Sequence, residues 1–280
     1  MAAAGLVQLL LADARLPVGG HTQSGSLEPA LRAGLAVAEI PGYVTARLLT
    51  VTRTAAGVAV LARAAVAGDA AMAPDGGLVP DGAGVLPRGG PGLAAIWRHW
   101  EAATPAHALR AAEVTLGRGY RRLGERLWGQ AVAGPLAAAV ACYGGLGDLG
   151  GPGDSGGAAV AGGSGGGENA SQGEPAHEVH PPRPLVLGVI AAAAGLTAEQ
   201  TAAVVGYDDV QTVWSACAKL APGDPVDLAQ AVLTALPLVA AMAADLAGLS
   251  SLADLPVYGA PQIDQWATAH SQAQGRLFHA

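Results

Sequence analysis

Two histidines stand three residues apart beside a carboxylate, in the segment His177-Glu178-Val179-His180. Imidazole and carboxylate groups bind transition metals, and on a helix this spacing would place both imidazoles on one face. Prolines at 181, 182 and 184 follow the motif and a glycine tract precedes it, so no helix is expected here. With no third ligand in register, the sequence favours a solvated loop, and metal binding by His177 and His180 is the alternative. No cofactor is predicted.

His21 stands close in sequence to Ser24 and Ser26, a combination that hydrolases use for nucleophilic attack. Neither serine lies in a Gly-x-Ser-x-Gly elbow after a strand, and nearness in sequence does not make a triad. The sequence also contains no Gly-x-x-x-x-Gly-Lys-Ser/Thr loop for nucleotide phosphates. A turn followed by a helix cap explains the serines better, and the chain is not predicted to be an enzyme.

One predicted helix carries five arginines against two glutamates, Glu113 and Glu125. The arginines are Arg110, Arg118, Arg121, Arg122 and Arg126. A solvated helix face is one interpretation. The other is docking of an acidic partner surface, because a guanidinium pairs with a carboxylate through two parallel hydrogen bonds.

Composition narrows the class of protein. The formal charge of −7 over 280 residues argues against nucleic-acid binding, which normally needs a basic surface. Cys142 and Cys217 are too few and too far apart to indicate a disulfide framework or a zinc motif. Hydrophobic residues make up 51% of the chain with a single Phe, so the helices must pack closely through small side chains.

The mean hydropathy of +0.35 raises the question of membrane insertion. The apolar run 185–196 is too short to span a bilayer, and the uncharged stretch 129–147 is interrupted by Pro135. The first residues lack the basic charges of a secretory signal. We therefore expect a cytoplasmic protein without membrane contact.

Strand signals are nearly absent, whereas apolar residues recur at helical spacing along most of the chain. Thr104-Pro105 and Asp224-Pro225 are typical helix starts, and Thr197 with Gln200 forms a capping box. The pattern predicts an all-α fold, a single globular domain of about eight to ten helices over residues 1–280.

Two stretches break the helical pattern, residues 68–92 and residues 144–178. Both are rich in Gly and Pro and cannot bury enough apolar surface to offset the entropy of ordering. Long insertions in surface loops cost little stability, because closure entropy grows only logarithmically with loop length. The sequence therefore predicts two flexible insertions into one domain.

The chain ends carry two further motifs. Leu16-Pro17-Val18-Gly19-Gly20 forms a turn, and Ser24 or Ser26 is expected to cap a helix through Leu27 and Glu28. Residues 262–280 carry Arg276-Leu277-Phe278 two residues before the last position, and charged and aromatic side chains of this kind anchor partner proteins. A tail folded back onto its own core would have similar composition, so both readings stay open.

The ordered string from Leu16 to Glu28 resembles the opening of the urease accessory protein UreF family. Other segments are similar as well: Ala216-Cys217-Ala218-Lys219-Leu220-Ala221-Pro222, His180 with Pro184-Leu185-Val186-Leu187-Gly188, Ala108-Leu109-Arg110 with Gly117, and His270 with Arg276-Leu277-Phe278. The resemblance extends from about residue 6 to residue 280 outside the two insertions.

The resemblance implies a homodimeric all-helical scaffold for urease maturation. Such proteins bind the accessory protein UreD, also called UreH, and recruit the nickel-carrying GTPase UreG to deliver nickel to apo-urease. His270, Arg276, Leu277 and Phe278 would dock UreD, while Glu28 and Lys219 would belong to the surface that engages and gates the GTPase. The alternative is a nickel-binding helical metallochaperone that acts as an isolated chain.

Overall fold

The computed structural model describes residues 2–68, 89–144 and 179–278. These residues fold into eleven α-helices and three short 3-10 turns, and no strand occurs among them. The helices are α1 Ala2–Leu11, α2 Leu27–Arg32, α3 Ile40–Leu49, α4 Val51–Ala67, α5 Gly90–Ala103, α6 His107–Trp128, α7 Gln130–Gly144, α8 Arg183–Ala193, α9 Ala198–Leu220, α10 Pro225–Leu246 and α11 Pro261–Gln272. The predicted all-α class is confirmed. Only Thr50 separates α3 from α4, so counting them as one interrupted segment gives ten helices.

The two predicted insertions fall mainly on residues 69–88 and 145–178, which lie outside the described residues. Their predicted edges need correction. Gly68 caps α4 in a left-handed conformation, and α5 already begins at Gly90 rather than after residue 92. A proline in the first turn of α5 is compatible with a helix, because its missing N–H would have no partner there anyway. Gly144 belongs to the last turn of α7.

The core centres on α4, which packs against α5, α8 and α9. Residues 183–191 of α8 are all buried. At Gly188 the backbones of α8 and α4 touch, since a Cβ there would collide with the carbonyl oxygen of Ala59. The expected close approach of helices through small residues is therefore present.

Of the helix starts predicted at Thr104, Thr197 and Asp224, the last two are confirmed. In the capping box of α9, the backbone N–H of Gln200 donates to Thr197 Oγ1 at 3.1 Å, and Gln200 Oε1 accepts from the N–H of Thr197 at 2.9 Å. At the start of α10, Asp224 Oδ1 accepts from the N–H of Val226 at 2.8 Å.

The start predicted at Thr104-Pro105 is wrong. Helix α6 begins two residues later, at His107, with Ala106 as its N-cap. The carbonyl oxygens of Thr104 and Pro105 instead accept hydrogen bonds from the Arg110 guanidinium, at 2.6 and 3.0 Å. A long side chain of α6 thus holds the link to α5.

Within the described part of the chain, two helical segments are long and apolar enough to cross a bilayer, judged by length and composition alone. In Val37–Ala67, 67% of the most apolar stretch is buried, as in a core helix. In Pro225–Leu246 the buried share is only 17%. Helix α10 therefore presents a largely uncovered apolar surface.

Candidate functional site

The N-terminal turn ends in two consecutive left-handed residues, Gly25 at φ 57° and Ser26 at φ 61°. Ser26 precedes α2 but makes no capping hydrogen bond, and its buried Oγ has no partner among the described residues. Ser24 is the serine that helps the helix start, because its Oγ accepts from the N–H of Glu28 at 3.4 Å. Ser24 is fully buried while His21 is exposed, so the structure gives the turn a structural role.

A buried ion pair anchors this turn to the helical core. The Gly25 carbonyl oxygen accepts from the Tyr43 hydroxyl at 2.5 Å and from Arg47 at 2.8 Å. Arg47 also pairs with Asp209 of α9, with Nε–Oδ2 at 3.0 Å and Nη2–Oδ1 at 2.5 Å. The Thr52 hydroxyl donates to the same carboxylate at 2.7 Å. These contacts tie the turn to α3, α4 and α9.

The neighbouring carboxylates, Asp208 and Asp209, have opposite electrostatic surroundings. Burial would raise the pKa of Asp209, but Arg47 and Thr52 outweigh it and hold that pKa below its ordinary value. Burial raises the pKa of Asp208, and the charges of Asp209 and Glu113 add to the effect, although Asp208 pairs with Arg183. Arg183 is shared between two carboxylates, because it also forms two hydrogen bonds to Glu113 at 2.8 and 2.9 Å.

Small cavities border this cluster of charges. Two of them, of about 60 and 50 Å³, share Arg47, Glu113, Arg183 and Asp209 as lining residues. Volumes of this size hold a few water molecules, which can bond to the buried polar groups. A larger cavity of about 230 Å³ lies towards the surface, and its lining includes Asp208, Lys219 and Phe278.

The C-terminal tail is held by a carboxylate from the N-terminal motif. Glu28 is 1% exposed, and it accepts the backbone N–H groups of Leu277 at 3.0 Å and Phe278 at 2.9 Å. Arg32 pairs with Glu28 at 2.7 Å and donates to the carbonyl oxygen of Gly275 at 2.7 Å. Two side chains of α2 therefore fix residues 275–278.

The remaining tail contacts come from α9 and α11. Lys219 Nζ lies 5.0 Å from the centre of the Phe278 ring and donates to the His21 carbonyl oxygen at 3.4 Å. His270 is 2% exposed, and its Nε2 lies 3.1 Å from the carbonyl oxygen of Phe278 and 3.7 Å from Glu28 Oε2. We call this arrangement the clasp; it comprises Glu28, Arg32, Lys219, His270 and residues 275–278.

The structure brings all six predicted site residues together, but it exposes only some of them. Glu28, His270 and Phe278 are buried, whereas Lys219, Arg276 and Leu277 are exposed, Leu277 to 61%. The segment 262–280 was predicted as one tail, yet residues up to 272 belong to α11, which packs on α2 and α6. The sequence left open whether the tail binds a partner or folds back onto the core. Phe278 and His270 are buried, so these two residues fold back onto the core. Partner contact stays a prediction for the exposed residues.

Comparison with known proteins gives a consistent family. The family model described as UreF matches residues 36–237. The chain is 29% identical over 272 residues to a protein of Mycobacterium sp. (strain JLS) named urease accessory protein UreF, covering 96% of both chains. A protein of the same name from Mycolicibacterium vanbaalenii is 29% identical over 274 residues, again with 96% of both covered. The chain belongs to the UreF family.

Two residues that hold the site of this UreF chain were not predicted from the sequence. They are Arg32 of the clasp and Arg47 of the ion pair that holds the N-terminal turn. Arg32 stands four positions after Glu28, a spacing at which helical side chains pair, so the signal was present. Arg47 had no local signal, because its partner Asp209 lies 162 residues away. Only the folded chain reveals that contact.

The alternative metal site was predicted at His177 and His180. His177 and the neighbouring Glu178 lie outside the described residues, whereas His180 is described. Within residues 2–68, 89–144 and 179–278, no group of three or more His, Cys, Asp or Glu side chains could hold a metal ion.

Proposed function

We propose that this chain is a cytoplasmic accessory protein of urease maturation that works by protein contact, without a reaction of its own. It links UreD/UreH to the nickel-carrying GTPase UreG, gates the GTPase cycle, and so supports nickel insertion into apo-urease. Family membership supports the role in maturation. The single observation that carries the scaffold role is the clasp, which joins the two motif-bearing ends into one surface.

The clasp suits a docking site for UreD because it fixes the tail backbone while leaving side chains free. Glu28 binds the N–H groups of Leu277 and Phe278, and the Leu277 side chain still points outward at 61% exposure. Arg276 is exposed beside it. A preordered segment binds with less loss of entropy than a mobile one. Leu277 and Arg276 are therefore the proposed contacts, with Phe278 and His270 as positioning residues.

Lys219 is the proposed contact for the GTPase. It is exposed at the C-terminal end of α9, where a cation can meet a carboxylate of a partner. Its ammonium also lies over the Phe278 ring, so one residue touches both the tail and the turn at His21. Glu28 is buried, so we propose that it acts on the partner only by holding the tail.

We further propose a homodimer whose contact surface is formed by α1 and α10. Leu6, Leu9, Val226 and Leu233 are each more than half exposed on these helices, and α10 carries only two charges, Asp227 and Asp245. A groove of about 670 Å³ runs between α1, α9 and α10. At 1.5 Å per residue α10 is roughly 33 Å long.

A second copy fits this surface better than a lipid bilayer does. Polar side chains also line the groove, namely Gln8, Asp13, Tyr207 and Gln211. Such groups find hydrogen-bond partners in a protein interface and lose them in hydrocarbon. Sedimentation of the purified chain with and without lipid vesicles separates the two occupants.

The proposed function is tested in cells that express urease without this gene. We expect them to make urease with little nickel, and the wild-type chain to restore both nickel content and co-purification with UreD and UreG. Fully nickel-loaded urease in the deletion strain would contradict the proposal. So would tight nickel binding by the isolated chain in isothermal titration together with no partner contact, since that result describes a metallochaperone.

A further inference from the structure

Three arginines of α6 form a line on its exposed side. Arg118, Arg122 and Arg126 follow one another at intervals of four residues, about 6 Å along the helix, and all three are exposed. Within the described part of the chain none of them forms an ion pair. The other two arginines of this helix are engaged: Arg121 pairs with Glu125 at 2.7 Å, and Arg110 binds carbonyl oxygens near the start of α6. We call the three arginines the basic ridge.

A groove of about 520 Å³ runs beside the basic ridge. Its lining combines Arg122 and Arg126 with the apolar side chains of Pro17 and Leu123. Gly119 and Glu125 line it as well, and the Glu125 carboxylate is paired with Arg121. Leu127, 51% exposed, continues the apolar strip by one turn. The ridge therefore borders an apolar surface rather than open solvent alone.

The groove has a fixed wall. At Gly119 the backbone of α6 approaches the N-terminal turn so closely that an added Cβ would lie 2.5 Å from the Val18 carbonyl oxygen. Val18 itself is buried. The N-terminal turn that carries Pro17 is thus packed directly against the backbone of α6.

We infer that the basic ridge and its groove bind an acidic segment of a protein partner. The ligand would present carboxylates at one-turn spacing to the three guanidinium groups and place an apolar side chain in the groove. Arginine matches carboxylate geometry, and the low number of charges on the ridge matches one amphipathic helix. The inference goes beyond the proposed function, because the ridge shares no residue with the clasp.

A polyanion such as nucleic acid fits this surface less well. The chain carries a net charge of −7, so an extended phosphate backbone would be repelled outside the ridge. Nucleic-acid surfaces also use basic residues along a longer track, whereas here leucine and proline side chains flank the arginines.

The first experiment measures the ridge directly on the full chain. The probe is a fluorescein-labelled 18-residue amphipathic helical peptide. It carries Glu at every fourth position and Leu among the positions between them, and the control is the same peptide with each Glu replaced by Gln. Because each exposed pair changes affinity about two- to fivefold, the triple variant R118Q/R122Q/R126Q should bind the acidic peptide roughly ten- to a hundredfold more weakly. The charge-matched R118K/R122K/R126K variant keeps the charge but loses the planar guanidinium, so its affinity should lie between those of the wild type and the triple Gln variant.

Salt and a competing probe sharpen this experiment. Raising NaCl from 50 to 300 mM should weaken wild-type binding strongly and the triple Gln variant little, because screening acts on the removed charges. Equal binding of the Glu and Gln peptides, or of the wild type and triple Gln variant, would overturn the inference. Tighter binding of an 18-nucleotide single-stranded DNA than of the acidic peptide would overturn it as well.

The second experiment uses purified UreD, UreG and apo-urease as probes. The triple Gln variant should lose at least tenfold in affinity for one of them while keeping the wild-type circular dichroism spectrum. If the wild type binds these proteins and the variant binds all of them within twofold, the ridge has no docking role. If the wild type binds none of them yet binds the peptide, the proposed function fails and the ridge inference stands.

Discussion

The carboxylate of Glu28 accepts the backbone N–H of Leu277 at 3.0 Å, although 249 residues separate the two in the sequence. The same carboxylate binds the N–H of Phe278 and the guanidinium of Arg32. Because Glu28 is buried, each of these donors offsets part of the cost of removing its charge from water. The buried carboxylate of Glu28 therefore needs the tail for its hydrogen bonds, and the tail needs Glu28 to stay in place.

Replacing Glu28 with Gln should release the tail. The amide keeps one acceptor oxygen but loses the charge that Arg32 and two backbone N–H groups share, so we expect a loss of about 1–3 kcal/mol in the free energy of unfolding. Hydrogen exchange of the amides of Leu277 and Phe278 should accelerate well beyond the global effect. The exposed Glu199 offers a matched control, and equal protection of the tail amides in E28Q and E199Q would refute the clasp.

Much of the fold could be predicted because its determinants are local. The capping box at Thr197 and the Asp224-Pro225 start involve neighbours in sequence, and both are confirmed. The prediction at Thr104-Pro105 was wrong because Thr104 can act as an N-cap only if Pro105 is the first helical residue, and it is not. Here α6 begins only at His107, and Arg110 binds the carbonyl oxygens of Thr104 and Pro105.

The candidate site was predictable in its residues but not in its geometry. Motif resemblance selected Glu28, Lys219 and the Arg276-Leu277-Phe278 segment, and the structure brings them together. Which of them face solvent follows only from long-range packing. No sequence pattern distinguishes the buried Phe278 from the exposed Leu277, because their burial is set by α2 and α9.

Leu277→Asp should abolish binding to UreD without unfolding the protein. The side chain is 61% exposed, so the fold loses little, whereas a charge in the centre of an interface removes apolar contact and is left without a partner. Pull-down of UreD and thermal melting measure the two effects. Undiminished binding in L277D would mean that the tail serves only the fold.

Leu233→Asp should convert the proposed homodimer into a monomer. Leu233 is 58% exposed on α10. In a two-fold interface the introduced carboxylate would be buried against apolar side chains or would face the same carboxylate of the second copy, and both arrangements are unfavourable. Analytical ultracentrifugation reads the oligomeric state, and L277D is the control with a similarly exposed leucine elsewhere. A monomeric wild type, or an unchanged dimer in L233D, would exclude α10 as the interface.

Lys219→Ala should change the behaviour of the GTPase more than it changes the stability of this chain. The lost cation–π contact with Phe278 is worth about 0.5–1 kcal/mol at an exposed site, so the melting curve should move little. In the reconstituted complex we expect an altered rate of GTP hydrolysis by UreG, with partial rescue by Lys219→Arg. Wild-type hydrolysis and full urease activation in K219A would remove Lys219 from the gating role.

The adjacent carboxylates Asp208 and Asp209 should give stability opposite dependences on pH. The pKa of Asp209 is lowered in the folded chain, so its contribution is present above the unfolded value near 3.8 and is lost as the pH falls through the folded value. The pKa of Asp208 is raised, so the folded chain holds that proton more tightly and loses stability as the pH rises through the folded value.

Single Asn variants separate these two effects in urea unfolding from about pH 2.5 to pH 8, a range that extends below the unfolded pKa of 3.8 at which the Asp209 contribution begins to be lost. Asp209→Asn leaves Arg47 buried beside a neutral group, so it should cost about 3–5 kcal/mol at neutral pH and progressively less towards acid pH. Asp208→Asn should become less destabilising relative to wild type as the pH rises, since Arg183 keeps Glu113 as its partner. Two difference curves with the same slope would show that the surroundings of the two carboxylates do not differ in the way the structure indicates.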